Sequence, residues 1–145
     1  MVRANQEVIQ EIITHCLNEL PNEACGVLLG TSDGESVRIS GFVPMLNAAE
    51  NPLNRFSFDP CEWVEIVIRQ SAGSLGSISL QDRMVGIVHS HPLTKAIPSR
   101  LDENSLWSFA TYWIVSLLGP NQPDIRAYRM EQGRFQQQQL KISPY

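Results

Sequence analysis

Cysteine is scarce in this sequence, and its three occurrences lie far apart. Cys16, Cys25 and Cys61 form no Cys-x-x-Cys pair, and an odd number of cysteines does not suit a set of disulfides. These features argue against a small disulfide-linked domain and against a zinc knuckle built from closely spaced thiolates. We therefore expect reduced cysteines, most of them buried.

Positive charge is also in short supply. The chain has 11 lysines and arginines against 15 aspartates and glutamates, which gives a formal net charge of -4 at pH 7. Proteins that bind nucleic acid or anionic lipid through phosphate groups usually present an excess of basic residues. The composition therefore does not favour a nucleic-acid partner.

Long apolar runs are absent as well. The N-terminal segment MVRANQEVIQEIITHCL places polar residues among its apolar ones, unlike the continuous apolar core of a signal peptide or a membrane span. We expect a cytoplasmic protein with no membrane partner. With 145 residues, 43% of them hydrophobic, the chain has the size and composition of one globular domain spanning residues 1–145.

The spacing of apolar residues predicts alternating helices and strands. One helix is predicted over residues 5–19, a second from the Asp59-Pro60 cap, with Glu62 closing a capping box, to about Ser71, and a third from Ser99 to about Ala110. A loop is predicted over 71–79. The predicted strands are EACGVLLG and VRISGFV, which form a hairpin, then MVGIVHS, YWIVSLL, and a final hairpin of IRAYRM and RFQQQQLKI. This order predicts an α/β fold, a mixed α+β sheet flanked by helices.

The segment GIVHSHPLTKAIPSRLD, residues 86–102, places two histidines two positions apart at the end of an apolar strand. Side chains two residues apart in an extended segment leave the same side of the backbone, so His89 and His91 can bind one ion. Neutral imidazole is a good zinc ligand, and catalytic zinc sites usually have three protein ligands. Asp102 is the candidate third ligand, because a loop bounded by two prolines can bring it back to the histidines.

The same residues also have a purely structural interpretation. A His-x-His pair is often a pair of surface histidines or of hydrogen-bonded core histidines. Ser99 and Asp102 match a helix capping box, which needs no metal. The two interpretations are compatible, because a helix start can aim a hydroxyl and a carboxylate at a neighbouring strand end. Taken alone, the Ser99 and Asp102 fragment favours the cap, and only the combined spacing decides between the two interpretations.

The combined spacing resembles a known signature. HSHPLTKAIPSRLD is similar to the motif of the JAMM metallopeptidases, also called MPN+ domains: His-x-His, seven residues, Ser, two residues, Asp. The upstream segment PNEACGVLLG resembles the first motif of that family, in which a glutamate precedes an apolar strand with small residues. The resemblance runs from the first of these strands through the helix after Asp102 and suits compact bacterial or archaeal members. It implies the JAMM/MPN fold, whose layout is related to that of cytidine deaminases.

The resemblance implies a role for each of five residues. His89, His91 and Asp102 would bind Zn²⁺. Glu23 would take a proton from the attacking water and return it to the departing amine, and Ser99 would support the oxyanion. A Lewis acid, a general base and an oxyanion donor each promote amide hydrolysis at neutral pH.

The role of Glu23 has competing interpretations when the residues are considered alone. A glutamate between a helix and a strand is usually a solvated connector. Other carboxylates are available at Glu50, Glu62, Glu65 and Glu103. Strand alternation places Cys25 on the same face as Glu23 and therefore near the site. Arg55 is either a partner for a substrate carboxylate or a solvated surface residue.

The resemblance implies a zinc-dependent peptidase or isopeptidase that cuts the amide bond after the C-terminal Gly-Gly tail of a ubiquitin-like protein. Long insertions like those of ubiquitin-specific members are missing, so a small sulfur-carrier protein of the ubiquitin-like fold is the expected partner. The alternative function is a non-catalytic MPN interaction module, against which the five intact residues argue. A zinc deaminase would need a Cys-x-x-Cys pair. The sequence leaves open whether the chain forms a homo-oligomer.

Overall fold

The computed structural model of the chain describes residues 1–71, 83–103, 108–119 and 121–144. Its elements are, in chain order, β1 (Val2–Asn5), α1 (Gln6–Asn18), β2 (Cys25–Ser32), β3 (Val37–Met45), α2 (Pro60–Ser71), β4 (Arg83–His91), α3 (Arg100–Glu103), β5 (Thr111–Ser116), β6 (Asp124–Glu131), β7 (Arg134–Gln138) and β8 (Leu140–Ser143). The fold is therefore mixed α/β, as the order of elements predicts.

The eight strands formed by the described residues make one mixed sheet in the order β7-β6-β5-β4-β2-β3-β1-β8. β4 pairs in parallel with β5 and antiparallel with β2. Gln139 alone separates β7 from β8 in the sequence, although these strands stand at opposite ends of the order, so the sheet curves round on itself. β4 lies in the middle of the sheet and is buried from Val85 to His91.

Helix α1 packs on one side of this curved sheet. The Asn5 side chain caps the helix by accepting a hydrogen bond from the Val8 amide at 2.9 Å. Its apolar stripe, which includes Ile12, lies in one buried cluster with Val88 and Trp113 of the central strands. The helix predicted over residues 5–19 is confirmed, with Asn5 and Glu19 as its two caps.

Helix α2 contributes to a second buried cluster. The Glu62 amide donates to Asp59 Oδ2 at 3.0 Å, which confirms the predicted start of this helix. Ile66 packs there with Ile87 of β4. The Glu62 carboxylate, predicted to close a capping box, accepts a hydrogen bond from the Leu46 amide at 2.7 Å, which ties α2 to the end of β3. Of the loop predicted over 71–79, Ser71 ends α2, and the rest lies outside the described residues.

The C-terminal segment RFQQQQLKI is wrongly predicted as one strand. Its first part, β7, forms the expected hairpin with β6 around Gln132 and Gly133. These two residues have φ angles of 52° and 76°, as a two-residue hairpin turn requires. Its second part, β8, pairs in parallel with β1, a strand that the sequence did not predict.

The helix predicted from Ser99 to about Ala110 is shorter than expected where the structure describes it. α3 covers Arg100–Glu103, and residues 104–107 lie outside the described residues. The Phe109 amide donates to the Tyr112 hydroxyl at 2.9 Å, and the Ala110 amide donates to the Val85 carbonyl at 3.0 Å. These bonds hold the chain beside the sheet before β5 begins, so it is not helical there.

Across the described ranges, none of the helices is both long enough and apolar enough to span a bilayer.

Candidate metal centre

The end of β4 and the start of α3 bring the three expected ligands together. The Nε2 atoms of His89 and His91 lie 3.1 Å apart. Asp102 places Oδ1 3.1 Å from His89 Nε2 and Oδ2 3.3 Å from His91 Nε2. All three side chains are less than a tenth exposed, so the donor atoms face one another in a largely dehydrated position.

The separations between these donor atoms suit a tetrahedral metal ion. Ligand atoms at about 2.0 to 2.1 Å from a tetrahedral zinc stand about 3.3 Å from one another. The three separations in the structure, 3.1 to 3.3 Å, are close to that value. Two imidazole nitrogens and a carboxylate oxygen are also common zinc donors. The three residues therefore form a group that could hold a metal ion.

His91 is oriented by the loop that follows β4. Its Nδ1 lies 2.8 Å from the Lys95 carbonyl, to which it donates when the proton is on Nδ1. The Nε2 lone pair of the neutral ring then points toward His89 and Asp102. A hydrogen bond of this kind on the second ring nitrogen is typical of histidines that bind metals.

The loop itself is anchored to two strands. Ser116 Oγ, at the end of β5, donates to the Thr94 carbonyl at 2.6 Å, and the Tyr128 hydroxyl on β6 donates to the Ala96 carbonyl. Ala96 is fully buried. Three consecutive carbonyl groups are thus held by side chains, and the middle one, of Lys95, orients the histidine.

Asp102 caps α3 and also contacts both histidines. The Ser99 amide donates to Asp102 Oδ2 at 2.8 Å, and the Asp102 amide donates to Ser99 Oγ at 3.2 Å. This reciprocal pair is a capping box. Because the same carboxylate contacts both histidines, the cap presents Asp102 to the cluster and places the Ser99 hydroxyl next to it.

The cluster favours an ionised Asp102. Burial alone would raise the pKa of Asp102, but hydrogen bonds from His89 and His91 and from the Ser99 amide hold it well below its usual range. Burial would lower the pKa of His91, whereas its hydrogen bonds to Asp102 and to the Lys95 carbonyl raise it above its usual value. Asp102 is therefore an anionic oxygen donor at neutral pH.

Glu23 is buried immediately before β2, close enough to His91 and Asp102 for both to affect its charge. Burial raises the pKa of Glu23 to about 7, with His91 lowering it and the Asp102 carboxylate raising it. A carboxyl group with such a pKa can both accept and donate a proton near neutral pH. The Glu23 amide donates to the Pro52 carbonyl at 2.7 Å, which fixes its backbone.

The four other carboxylates that the sequence offers in place of Glu23 are either exposed or bonded to the backbone elsewhere. Glu50 and Glu65 are exposed. Glu62 accepts from the Leu46 amide, and Glu103 Oε2 accepts from the Phe135 amide at 2.8 Å. Glu23 is the one buried member of this set of five.

Asn47 was missed by sequence reasoning. Its Nδ2 donates to the carbonyls of Glu23 and Arg55, at 2.9 and 2.8 Å, and its Oδ1 accepts from the Ser57 amide at 3.1 Å. An asparagine beside a turn is a known signal for side chain to backbone bonds, but it does not reveal the partners. The Arg55 side chain is exposed, and its proposed contact with substrate stays a prediction.

Cys25 lies directly opposite His89 in the pairing of β2 with β4, so this residue is near the site, as alternation predicts. Its Sγ lies 3.8 Å from the Met45 carbonyl. Burial, assisted by the charges of Glu62, Glu19 and Glu23, raises the pKa of the Cys25 thiol to about 12. The thiol is therefore protonated and unsuited to bind a metal or attack a substrate.

Comparisons with known sequences identify similar proteins. The family profile described as prokaryotic homologs of the JAB domain matches residues 5–131. The CysO-cysteine peptidase of Mycobacterium tuberculosis is 27% identical over 137 residues, which cover 94% of this chain and 87% of that protein. The desampylase of Haloferax volcanii is 38% identical over 98 residues, which cover 66% of this chain and 63% of that protein.

Solved structures are similar as well. The solution structure of a Desulfitobacterium hafniense protein superposes with a TM-score of 0.84 at 27% identity, covering 100% of this chain and 94% of that one. The solution structure of a Salinibacter ruber protein gives a TM-score of 0.63 at 23% identity, covering 97% and 91% of the two chains. At that identity the second likeness concerns the fold alone.

Proposed function

Because the chain belongs to the family of prokaryotic homologs of the JAB domain, we propose that it is a zinc-dependent peptidase that cuts after the Gly-Gly tail of a ubiquitin-like protein. The observation that carries this proposal is the cluster of His89, His91 and Asp102 beside the buried carboxyl of Glu23. Two similar proteins, named as a CysO-cysteine peptidase and a desampylase, support the hydrolase class.

The chain supplies the ligands that such a reaction needs. His89 and His91 would bind Zn²⁺ through their Nε2 atoms, and Asp102 would add an anionic oxygen. When bound, the ion would lower the pKa of water from 15.7 toward about 7 and polarise the carbonyl that is attacked. The loop carbonyl at Lys95 and the cap at Ser99 hold two of these ligands in place beforehand.

Glu23 is the proposed general base and acid. Its carboxylate takes a proton from the attacking water, whose oxygen forms a bond to the carbonyl carbon. The C–N bond then breaks, and Glu23 returns its proton to the departing amine. The Ser99 hydroxyl is the proposed donor to the oxyanion that develops, a contribution worth roughly 3 to 4 kcal/mol when such a donor is lost.

A glycine tail is a suitable substrate segment for this centre. It can lie as an added strand beside backbone groups and gain main-chain hydrogen bonds with little demand on side chains. We propose a small ubiquitin-like sulfur carrier as the protein that carries the tail. We also propose a cytoplasmic location, in which the three cysteines, all free, would stay reduced.

The first test combines metal analysis with turnover. Wild-type protein should contain about one zinc per chain, and His91→Ala should lose most of it. Glu23→Gln keeps the shape of the side chain but not its basicity, so it should retain zinc while turnover falls by about 10²- to 10⁴-fold. Turnover is measured by mass spectrometry on carriers whose Gly-Gly tail continues with a cysteine or a lysine-linked extension.

Two results would contradict the assignment. Full zinc retention by His91→Ala would refute the ligand set, and near-normal turnover by Glu23→Gln would refute the base. If zinc-loaded wild-type protein cleaved no ubiquitin-like conjugate, the non-catalytic interaction module would be the better interpretation.

A further inference from the structure

A cavity of about 180 Å³ lies directly beside the candidate metal centre, and His89 and Asp102 form part of its lining. Ile87 lines it from β4, two residues before His89 and therefore on the same face of the sheet. Tyr112 of β5 is the register neighbour of Ile87. Leu101, which immediately precedes Asp102, lines the cavity from α3. A substrate group that lies beside His89 and Asp102 on this face of the sheet would therefore occupy the cavity.

Aromatic rings make up much of the cavity wall. Phe56 stacks on the His89 ring with centroids 4.6 Å apart and planes at 20°, and it packs edge-on against Phe58 at 5.7 Å. The rings of Tyr112 and Phe135 pack against each other at 5.0 Å. Because these rings hold one another in place, the cavity is preformed.

The chemistry of the wall selects for an apolar occupant. Among the described residues that line the cavity, those other than His89 and Asp102 carry no charge. An aspartate side chain would lose its hydration there and would lie near the Asp102 carboxylate, so its binding is unfavourable. An apolar cavity of roughly 150 Å³ accommodates benzene, so this one has room for a phenylalanine, methionine or leucine side chain.

We propose that the cavity binds an apolar side chain of the residue released from the Gly-Gly tail. This inference rests on the proposed function, because there the acyl side of the cleaved bond ends in glycine, which has no side chain to place in the cavity. The residue on the amine side is the remaining part of the substrate adjacent to the bond. Carriers whose tail continues with phenylalanine, methionine or leucine are therefore better substrates than those extended by aspartate.

Binding can be tested without metal or turnover. Free L-phenylalanine and L-aspartate are added to ¹⁵N-labelled protein in a chelator, and amide chemical shifts are recorded by NMR. We expect L-phenylalanine to shift the signals of Ile87, Leu101 and Tyr112 through its ring current, and L-aspartate to leave them unchanged. Leu101→Arg should abolish these shifts, because it places a cation at the cavity wall.

A matched control distinguishes the cavity from general surface effects. Leu101 and Leu118 are 55% and 56% exposed, so an arginine at either position is compatible with folding. Leu118 follows β5 and does not line the cavity. Leu118→Arg should therefore bind L-phenylalanine as the wild-type protein does.

Turnover provides the second measurement. For zinc-loaded wild-type protein, kcat/KM should be at least about 10-fold higher for a carrier ending in Gly-Gly-Phe than for one ending in Gly-Gly-Ala, and at least about 100-fold higher than for Gly-Gly-Asp. Leu101→Arg should reduce the preference for phenylalanine over aspartate by about 10-fold or more. Leu118→Arg should leave that ratio unchanged.

The two measurements separate failure of the inference from failure of the proposed function. Equal kcat/KM for the phenylalanine and aspartate carriers, or no phenylalanine-induced shifts at the cavity, would overturn the inference while hydrolysis itself stands. Absence of turnover on every carrier by fully zinc-loaded protein would refute the proposed function, even with the binding shifts present.

Discussion

Glu23 holds a carboxyl group in a position where ionisation is unfavourable. The residue is 7% exposed, and burial raises its pKa from 4.5 to about 7. An ordinary surface glutamate would be ionised throughout the neutral range and would be too weak a base to take a proton from water efficiently. The same burial that raises the pKa of Glu23 to about 7 therefore lowers the stability of the folded chain once this carboxyl group is ionised.

The raised pKa of Glu23 predicts that the difference in stability between the wild-type protein and Glu23→Gln depends on pH. The unfolded state releases the Glu23 proton near pH 4.5 and the folded state near pH 7, so ionisation removes stability from the wild-type protein as pH rises through this window. At pH 8 the loss amounts to about 3 kcal/mol relative to pH 4. Glu23→Gln has no such loss, so its advantage in the free energy of unfolding should grow by about that amount between the two pH values.

Urea denaturation of both proteins in a chelator, at pH 4 and pH 8, measures this difference. Glu50→Gln, which removes an exposed carboxylate from a neighbouring segment, is the control for the loss of one charge. If the free energies of unfolding of wild-type protein and Glu23→Gln differed by the same amount at both pH values, the fold would not raise the pKa of Glu23.

At the same scale, local spacing limits which site residues a sequence can reveal. His89 and His91 share a strand face, and Asp102 follows within one loop, so their separation in the sequence restricts their separation in space. Ser90 and Asn47 form hydrogen bonds with residues that are much further away in the sequence. Ser90 Oγ accepts from the Ala24 amide, 66 residues away, and Asn47 reaches Glu23 across 24 residues. Neither contact has a sequence pattern, because each depends on how the strands pair.

At the scale of the elements, the loop between β4 and α3 orients the candidate ligand His91. It is fixed at its middle by Ser116 from β5 and Tyr128 from β6, so the orientation of His91 depends on two strands that supply no ligand. Partners that orient metal-binding histidines commonly contribute 10- to 100-fold to metal affinity. Ser116 and Tyr128 act one step further away, because they hold the segment that contains the Lys95 carbonyl. Their removal should therefore also lower the metal affinity, but by less.

This dependence predicts that Ser116→Ala and Tyr128→Phe each weaken zinc binding by about 3- to 10-fold while the candidate ligands themselves are intact. Each substitution removes one hydroxyl and leaves a loop carbonyl without its donor, which loosens the segment around the Lys95 carbonyl. Competition with a zinc-binding dye gives the dissociation constants.

Ser32→Ala is the matched control, since Ser32 also ends a strand and its hydroxyl accepts a backbone hydrogen bond, from the Gly34 amide at 3.3 Å. Its zinc affinity should equal that of the wild-type protein. Unchanged affinity in both Ser116→Ala and Tyr128→Phe would show that the loop does not orient His91.

Elements differ in how much of their structure is local. Helix α1 is predictable because its apolar stripe and its cap at Asn5 lie within the segment itself. β1 and β8 have four residues each, and they pair in parallel with each other across almost the whole length of the chain. The glutamines before β8 give no apolar alternation that would mark the break at Gln139. Short strands that are stabilised by pairing with distant segments have too few residues to show a recognisable pattern in the sequence.

In the molecule as a whole, the candidate metal centre brings together residues of two separate elements, β4 and α3. His89 and His91 lie at the end of a buried central strand, whereas Asp102 belongs to a separate helix of four residues. The contacts between them bring an anionic carboxylate to two imidazole rings whose Nε2 atoms lie 3.1 Å apart. A cation at their centre would pair with Asp102 and occupy both nitrogen lone pairs, so it should bind the folded chain far better than the unfolded chain.

Zinc is therefore expected to stabilise the whole fold by linkage. Free zinc at 100 times its dissociation constant adds about 2.7 kcal/mol to the free energy of unfolding. For a chain of this size that raises the Tm by roughly 5 to 10 °C. Scanning calorimetry in zinc and in a chelator should show this difference for the wild-type protein and for Glu23→Gln, which keeps all three ligands. His91→Ala should show almost none, and a Tm of the wild-type protein that is unaffected by the chelator would contradict a metal at this centre.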